Sequence, residues 1–275
     1  KTHGKLVFLQ FMKLTNTQRK LILSLASARQ RRSRGLFVAE GIRSLRELLP
    51  SFQLQWLVAT PLWLEENASL PGEMCIPADR LLTASADDMR RISSMQTPQG
   101  VMGVFSMPVD EPFDVSALRR DPARLVLALD TIQDPGNLGT IIRVADWFGI
   151  DTVLASHETA DQFSPKVVQS TMGALARVRV HYCDLCGTLG ALVAAGVPVY
   201  GTMLDGGDLY SIPLTAGGVI VMGNEGNGIS DAVPATLPCR IRIPSFPPGA
   251  TTVESLNVGT ATAITVAEFR RRIIH

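Results

Sequence analysis

No stretch of this 275-residue chain approaches the roughly 18 consecutive apolar residues a helix needs to cross a bilayer. A membrane-spanning helix is therefore excluded as the organising feature. Residues 1–11 lack a small-residue cleavage site and do not form a secretory signal; they are expected to be a leader added ahead of a native start at Met12. Cysteine is scarce. Four thiols are too few to staple a chain of this length, and a reducing cytoplasm is the simplest compartment. The sequon Asn67-Ala68-Ser69 then carries no meaning. Cys183 and Cys186 form a single CxxC near His181 with no second pair, so two reduced thiols on a helix are expected rather than a zinc site. Cys75 and Cys239, in apolar settings, are expected to pack. Pyrophosphate signatures are missing too. No strand leads into GxGxxG, and Gly223–Ser230 lacks the Lys-Ser/Thr of a P-loop.

Net charge is only +1, but it is unevenly spread. Between Lys13 and Arg46 lie Arg19, Lys20, Arg29, Arg31, Arg32, Arg34 and Arg43, with Glu40 the single acid among them. Such a run is commonly a solvated helix face. Here Gln30-Arg31-Arg32-Ser33-Arg34-Gly35 falls where a helix stops, a place suited to both the helix dipole and a phosphate. Arg29, Arg31, Arg32 and Arg34 are the candidate contacts to a nucleic-acid phosphate backbone. From Leu36 to Met107 short strands and helices alternate: strand Leu54 to Thr60, helix Pro61 to Asn67, strand Met74 to Pro77, helical period Asp79 to Met95, strand Val101 to Ser106. Residues 12–107 are thus expected to form a small α/β domain. The Pro- and Asp-bearing stretch 108–122 is the expected linker.

The remainder, residues 123–275, alternates strand and helix to the end, which predicts a parallel sheet with helices on both faces. Strand Leu125–Leu129 breaks into Asp130-Thr131-Ile132-Gln133-Asp134-Pro135-Gly136-Asn137-Leu138-Gly139, then a helix from Leu138 carrying Arg143. Strand Val219–Met222 ends in Gly223-Asn224-Glu225-Gly226-Asn227-Gly228-Ile229-Ser230. Strand Arg240–Ile243 stops at Pro244; after a loop, Glu254-Ser255-Leu256-Asn257 opens a last helix whose body, Gly259-Thr260-Ala261-Thr262-Ala263-Ile264, has almost no bulk. Something must approach that backbone closely. Ser255 and Asn257 can cap the helix, and Arg270, Arg271 and Arg272 suit its C-terminal end. Loops after parallel strands gather at one edge of a sheet, where ligands bind. Tight turns of small residues suit an adenosine-like ligand held by main-chain groups in an apolar slot.

The segments NLGTIIRVADWFG, GNEGNGIS and IP…ESLNV, in that order, resemble the three motifs of the SpoU (TrmH-like) RNA ribose 2′-O-methyltransferases of the SPOUT superfamily. The block Ser164-Pro165-Lys166 through Ser170-Thr171-Met172-Gly173-Ala174 also fits. RGLFVAEG and Thr97-Pro98-Gln99-Gly100-Val101 resemble, more loosely, the L30e-like substrate-binding domain that precedes the methyltransferase domain in that family. The resemblance implies a deep trefoil knot in the C-terminal domain, an exception to the usual rule. It implies S-adenosylmethionine as cofactor, with Gly223, Ile243 and Leu256 offering backbone groups and Thr202 beside them. It implies a homodimer acting on structured RNA, with ribosomal RNA favoured over transfer RNA, and neither metal nor membrane. One departure is present: the loop Ser245 to Glu254 is longer than the family's, and Gly259-Thr260 replaces its usual residues.

The implied reaction passes a methyl group from a sulfonium to a ribose 2′-hydroxyl. Its site must align the hydroxyl, stabilise negative charge developing on oxygen and dispose of one proton. The resemblance places Arg143 at the hydroxyl. A guanidinium stays protonated, so its expected role is to hold the adjacent phosphate and the forming alkoxide. Glu225 is a second candidate base, or orients Arg143; Asn137, Ser255 and Asn257 position ribose and loops. Singly, each has an ordinary reading: Arg143 as a surface residue, Glu225 as a turn residue, Asn137 and Ser255 as caps. The rival from another class is a non-catalytic RNA-binding protein on the same scaffold.

Overall fold

The computed structural model describes residues 12–230, 233, 237–247 and 253–274. The expected leader lies outside these residues, as does the middle of the loop 245–254. In chain order come β1 (Met12–Lys13), α1 (Asn16–Ser24), α2 (Ala28–Arg34), β2 (Leu36–Glu40), α3 (Ile42–Leu48) and β3 (Leu54–Ala59). Next are α4 (Pro61–Glu66), α5 (Leu70–Glu73), β4 (Leu81–Thr83), α6 (Ala86–Ile92), β5 (Val101–Ser106) and α7 (Val115–Arg120). Then follow β6 (Leu125–Leu129), α8 (Pro135–Trp147), β7 (Thr152–Ala155), α9 (Pro165–Thr171), β8 (Arg179–Tyr182) and α10 (Leu185–Ala194). The chain closes with β9 (Val199–Asp208), β10 (Gly218–Met222), β11 (Cys239–Arg242) and α11 (Val258–Ile274). They form two compact units: one of residues up to Pro108 together with Phe163–Ala176, the other of Val109–Gln162 and the chain from Arg177 onward.

The first unit is a five-stranded sheet in the order β1-β4-β3-β5-β2. β5 runs antiparallel to β2 and β3, while β3, β4 and β1 run parallel. Thr15 opens α1 with a capping box closed by Gln18, and Gly35 ends α2 in the left-handed conformation (φ 63°), as its place after Arg34 suggests. Phe37 of β2 packs on Phe105, Phe52 and Phe163 at ring-centroid distances of 5.5, 5.2 and 4.7 Å. Phe163 comes from the returning segment, which is why that segment belongs here. Two elements differ from the expectation. No strand spans Met74–Pro77, and the helical period over Asp79–Met95 is broken by β4. Leu81 and Leu82 are drawn into the sheet between β1 and β3, and Ser85 then starts a new helix by accepting from Asp88 N–H at 3.0 Å. Cys75, expected to pack, is exposed.

The second unit is a six-stranded sheet in the order β11-β9-β10-β6-β7-β8, every neighbouring pair parallel. The central strands β6 and β10 are buried along their whole length, as expected of parallel strands covered on both faces. The stretch expected to be a linker is in part structured. Asp114 caps α7, and Leu118 (3% exposed) joins the core formed with Leu189, Leu192, Val197 and Val219. Polar composition hid one well-placed leucine. From β6 the chain moves outward to β7 and β8, then returns to β9 and β10 on the other side, so the loops after β6 and β10 flank a switch point. Whether the last segments thread a knot depends on the loop 245–254, part of which lies outside the described residues.

α8 and α11 lie against each other. A Cβ on Gly259 would stand 2.9 Å from Thr140 Cγ2, so the small residues of α11 admit α8. At the other end Arg270 donates to the carbonyls of Phe148 and Gly149, which close α8. Glu268 (5% exposed) accepts from Arg271 and Arg272, while Arg272 also donates to the carbonyls of Leu209 and Ile212. The bond from the Arg271 guanidinium, helped by Arg272, lowers the Glu268 pKa to about 2. A depressed folded-state pKa stabilises above the unfolded value of about 4.3 and is lost as pH falls below it. Glu268→Gln should therefore remove part of the fall in melting temperature seen between pH 5 and 2. Parallel acid dependence in the two proteins, measured by circular dichroism, would refute this.

Candidate active site

At the carboxyl edge of the second sheet, one carboxylate oxygen gathers three chain segments. Glu225 Oε1, in the loop after β10, accepts from Asn137 Nδ2 at 3.0 Å, Asn257 Nδ2 at 2.6 Å and Val258 N–H at 2.9 Å. Asn257 Nδ2 also reaches Asn137 Oδ1 at 2.8 Å. Local chemistry sets each partner in place. Asp134 caps α8 by accepting from Asn137 N–H at 2.9 Å, with Pro135 in the first turn. Asn257 Oδ1 accepts from Thr260 N–H at 3.2 Å and so caps α11. Sequence reasoning started α8 three residues late, and the signal it passed over was the Asp-Pro pair ahead of Gly136-Asn137.

The loop carrying Glu225 is itself folded tightly. Asn224 and Gly228 exchange both main-chain hydrogen bonds at 2.8 Å. Asn224 Oδ1 accepts from Gly226 and Asn227 N–H, and its Nδ2 donates to Thr131 O at 2.9 Å. A Cβ at Gly223 would sit 2.3 Å from the Gly228 carbonyl carbon, so glycine there is required by the turn itself. Thr202 lies within β9, and its hydroxyl donates to Val221 O at 2.9 Å, tying β9 to β10. The β9–β11 register jumps from Arg240↔Gly201 to Ile241↔Gly207, so Thr202 to Gly206 leave the ladder. This bulge, the loop after β10 and half-buried Ile243 after β11 share one edge. Leu204 (72% exposed) and Leu256 (44% exposed) add apolar surface. Small turns, main-chain groups and uncovered aliphatic side chains suit the adenosine part of S-adenosylmethionine.

Not every expected residue joins this cluster. Ser255 is exposed and takes part in none of these bonds. Arg143 lies exposed on α8, six residues beyond Asn137, and has no hydrogen-bond or ion-pair partner among the described residues. That is about 9 Å further along the helix axis, on a stripe with Gly136, Thr140 and Trp147, the last 84% exposed. In the first unit Arg29, Arg32 and Arg34 are exposed on α2, but Arg31 corrects the expectation. Its guanidinium is 2% exposed and donates to the carbonyls of Leu25 and Ala26, closing the turn between α1 and α2. It is not free to meet a phosphate.

Other features of the second unit lie elsewhere. A cavity of about 380 Å³ sits at the amino ends of β6, β7 and β8, and its arginines are already paired: Arg124 with Asp151, Arg179 with Glu111 and Arg177 with Asp146. Burial raises the Cys183 thiol pKa, which makes a poor nucleophile. Among the described residues no group of three or more His, Cys, Asp or Glu could hold a metal ion, and no helix is long and apolar enough to cross a membrane.

Three polar loops after parallel strands meet at one edge of this sheet, the place where α/β folds bind their ligands. The chain belongs to the SpoU rRNA Methylase family, which matches residues 124–267, and an MRM3-like substrate binding domain matches residues 16–103. It is 31% identical to the 23S rRNA (guanosine(2553)-2′-O)-methyltransferase RlmP of Bacillus subtilis, over 90% of this chain and 93% of that one. Among solved structures it resembles a TrmH-family protein from Porphyromonas gingivalis (40% identity, TM-score 0.81, covering 94% of this chain and 99% of that one). It also resembles an AdoMet-bound rRNA methyltransferase from Sinorhizobium meliloti (29% identity, TM-score 0.79, 96% and 98%).

Replacing Glu225 by Ala leaves Val258 N–H and two amide groups without their acceptor. The loss should be that of a helix cap, about 0.5–2 kcal/mol, in urea denaturation, and Glu225→Gln should lose less than half as much. Equal stabilities for all three proteins would show that the carboxylate does not hold the segments together.

Proposed function

We propose that this protein transfers a methyl group from S-adenosylmethionine to a ribose 2′-hydroxyl in ribosomal RNA, working in the cytoplasm as a homodimer. The observation that carries the reading is the Glu225 cluster. Asn137, Glu225 and Asn257 come from three segments far apart in the chain and meet on one atom, in a chain of this family. The cofactor supplies a methyl group on a sulfonium, already a good leaving group. Thr202, Gly223, Ile243 and Leu256 line its place. Asn137 and Asn257, held by Glu225, present amide groups to the ribose, and with Ser255 they align the hydroxyl for in-line attack.

Arg143 supplies the positive charge. Its guanidinium holds the phosphate next to the target ribose and stabilises the forming alkoxide, while the proton leaves to phosphate or water. Within one copy Arg143 takes no part in the Glu225 cluster's bonds, and exposed Trp147 follows it by four residues on α8. A second copy docked on this stripe of α8 brings the guanidinium of one subunit to the cluster of the other. The exposed Arg29, Arg32 and Arg34 of α2 hold the RNA backbone, which gives salt-sensitive binding. Ribosomal RNA is favoured over transfer RNA as the substrate because the 90%-covered relative acts there.

Labelled S-adenosylmethionine with ribosomal RNA should give alkali-resistant dinucleotides, the mark of ribose methylation. RNA binding without label would leave the non-catalytic reading. Arg143→Ala should lower kcat by about 10²–10³ with cofactor affinity nearly unchanged. Mixed with an inactive Glu225→Ala protein, it should recover about a quarter of wild-type activity through heterodimers with one intact site. No recovery after subunit exchange, or a monomer in sedimentation, would overturn the shared site.

A further inference from the structure

Asp130 directly follows β6 with its carboxyl group almost wholly inside the second unit, 3% exposed. Among the described residues its side chain has two partners, neither of them cationic. Oδ2 accepts from Ser230 N–H at 2.6 Å, and Oδ1 accepts from the Thr131 hydroxyl at 3.0 Å. Burying a carboxylate on two neutral donors is costly, and filling the space alone would be better done by an apolar residue. Its placement points to a different purpose. The loop that carries Glu225 is pinned to Asp130 and Thr131 at both ends. At its entry Asp130 N–H donates to Met222 O at 2.9 Å and Asn224 Nδ2 donates to Thr131 O at 2.9 Å. At its exit stands the bond to Ser230 N–H.

Thr131 is a β-branched residue in the left-handed region (φ 60°), a conformation such residues adopt only when their surroundings impose it. Ser156 Oγ accepts its N–H at 3.0 Å, and Thr159 Oγ1 accepts the next one, from Ile132, at 3.3 Å. Both accepting groups are buried. The turn after β6 is therefore held rigidly, and α8 begins from it only a few residues later. One short stretch thus sets the start of the helix bearing Asn137 and grips both ends of the loop bearing Glu225.

We propose that Asp130 is a positioning residue: by clamping Ser230 it fixes where the Glu225 carboxylate meets Asn137 and Asn257. This rests on the methyl-transfer reading above. Two readouts on the full-length protein separate the two: hydrogen exchange of the segment 223–230, which needs no activity, and steady-state methyl transfer. In Asp130→Ala, exchange at Ser230 should rise and kcat should fall about 100-fold, the loss typical of roughly 1 Å of misplacement, with KM for RNA unchanged. Asp130→Asn can accept from Ser230 through its oxygen and donate to Thr131 Oγ1 through its nitrogen, so it should keep kcat within a few-fold. Leu189→Ala, a remote core change on α10, should lower the melting temperature without changing kcat. If Asp130→Ala does not fold, Ser230→Pro removes the same N–H from the other side and should give the same loss. Wild-type exchange and kcat in Asp130→Ala or Ser230→Pro would overturn the proposal, as would an Asn variant as slow as the Ala variant at wild-type stability. If the wild-type protein transfers no methyl group, the exchange result still decides whether the clamp exists.

Discussion

The site depends on a single oxygen atom accepting three N–H groups from two helices. Glu225 Oε1 joins the loop after β10 to the start of α8, through Asn137, and to the start of α11, through Asn257 and Val258. Local preference cannot bring these segments together, because each has its own turn and its own cap. The parallel sheet does the coarse work by delivering the loops after β6, β10 and β11 to one edge. Close packing of α8 on the small residues of α11 does the next part, because Gly259 lets Thr140 approach its backbone. The carboxylate then sets the last ångström. Each level constrains the next, and none would suffice alone.

Much of this was legible in the chain before any coordinates. The run of small residues in Gly259 to Ile264 announced a close approach, and α8 makes it. Asn137, Glu225 and Asn257 stood out through the resemblance to the family's ordered motifs, because singly each reads as an ordinary cap or turn residue. What escaped notice had physical reasons. Arg31 is indistinguishable by composition from Arg29, Arg32 and Arg34, yet helical geometry turns that one guanidinium inward onto two carbonyls. Leu118 was hidden in a stretch whose proline and aspartate suggested a linker. β4 was swallowed by a helical period because Leu81 and Leu82 fit either pattern, and only pairing with β1 and β3 decides between them. The returning segment Phe163–Ala176 joined the first unit through a ring contact that no periodicity encodes.

On the proposed reading, holding the loops together and stabilising the reacting oxygen fall to different residues. Glu225 Oε1 accepts from three groups of its own chain, so that oxygen is a fixed point of the architecture. Oε1 could take up a proton only by releasing an N–H at the very positions that define the site, so any base role for Glu225 falls to Oε2, which accepts no hydrogen bond among the described residues. A guanidinium cannot serve as the base, because it does not give up its proton in proteins. The requirement that remains is electrostatic: positive charge beside an oxygen that becomes negative. On the proposed reading Arg143 meets it: exposed on α8 and without a hydrogen-bond or ion-pair partner among the described residues, it stays out of the acceptor network that would otherwise neutralise it. A cation bound to Glu225 would be half-cancelled before the substrate arrived. On the proposed reading, one held apart and brought up by a neighbouring subunit keeps its full charge for phosphate and alkoxide.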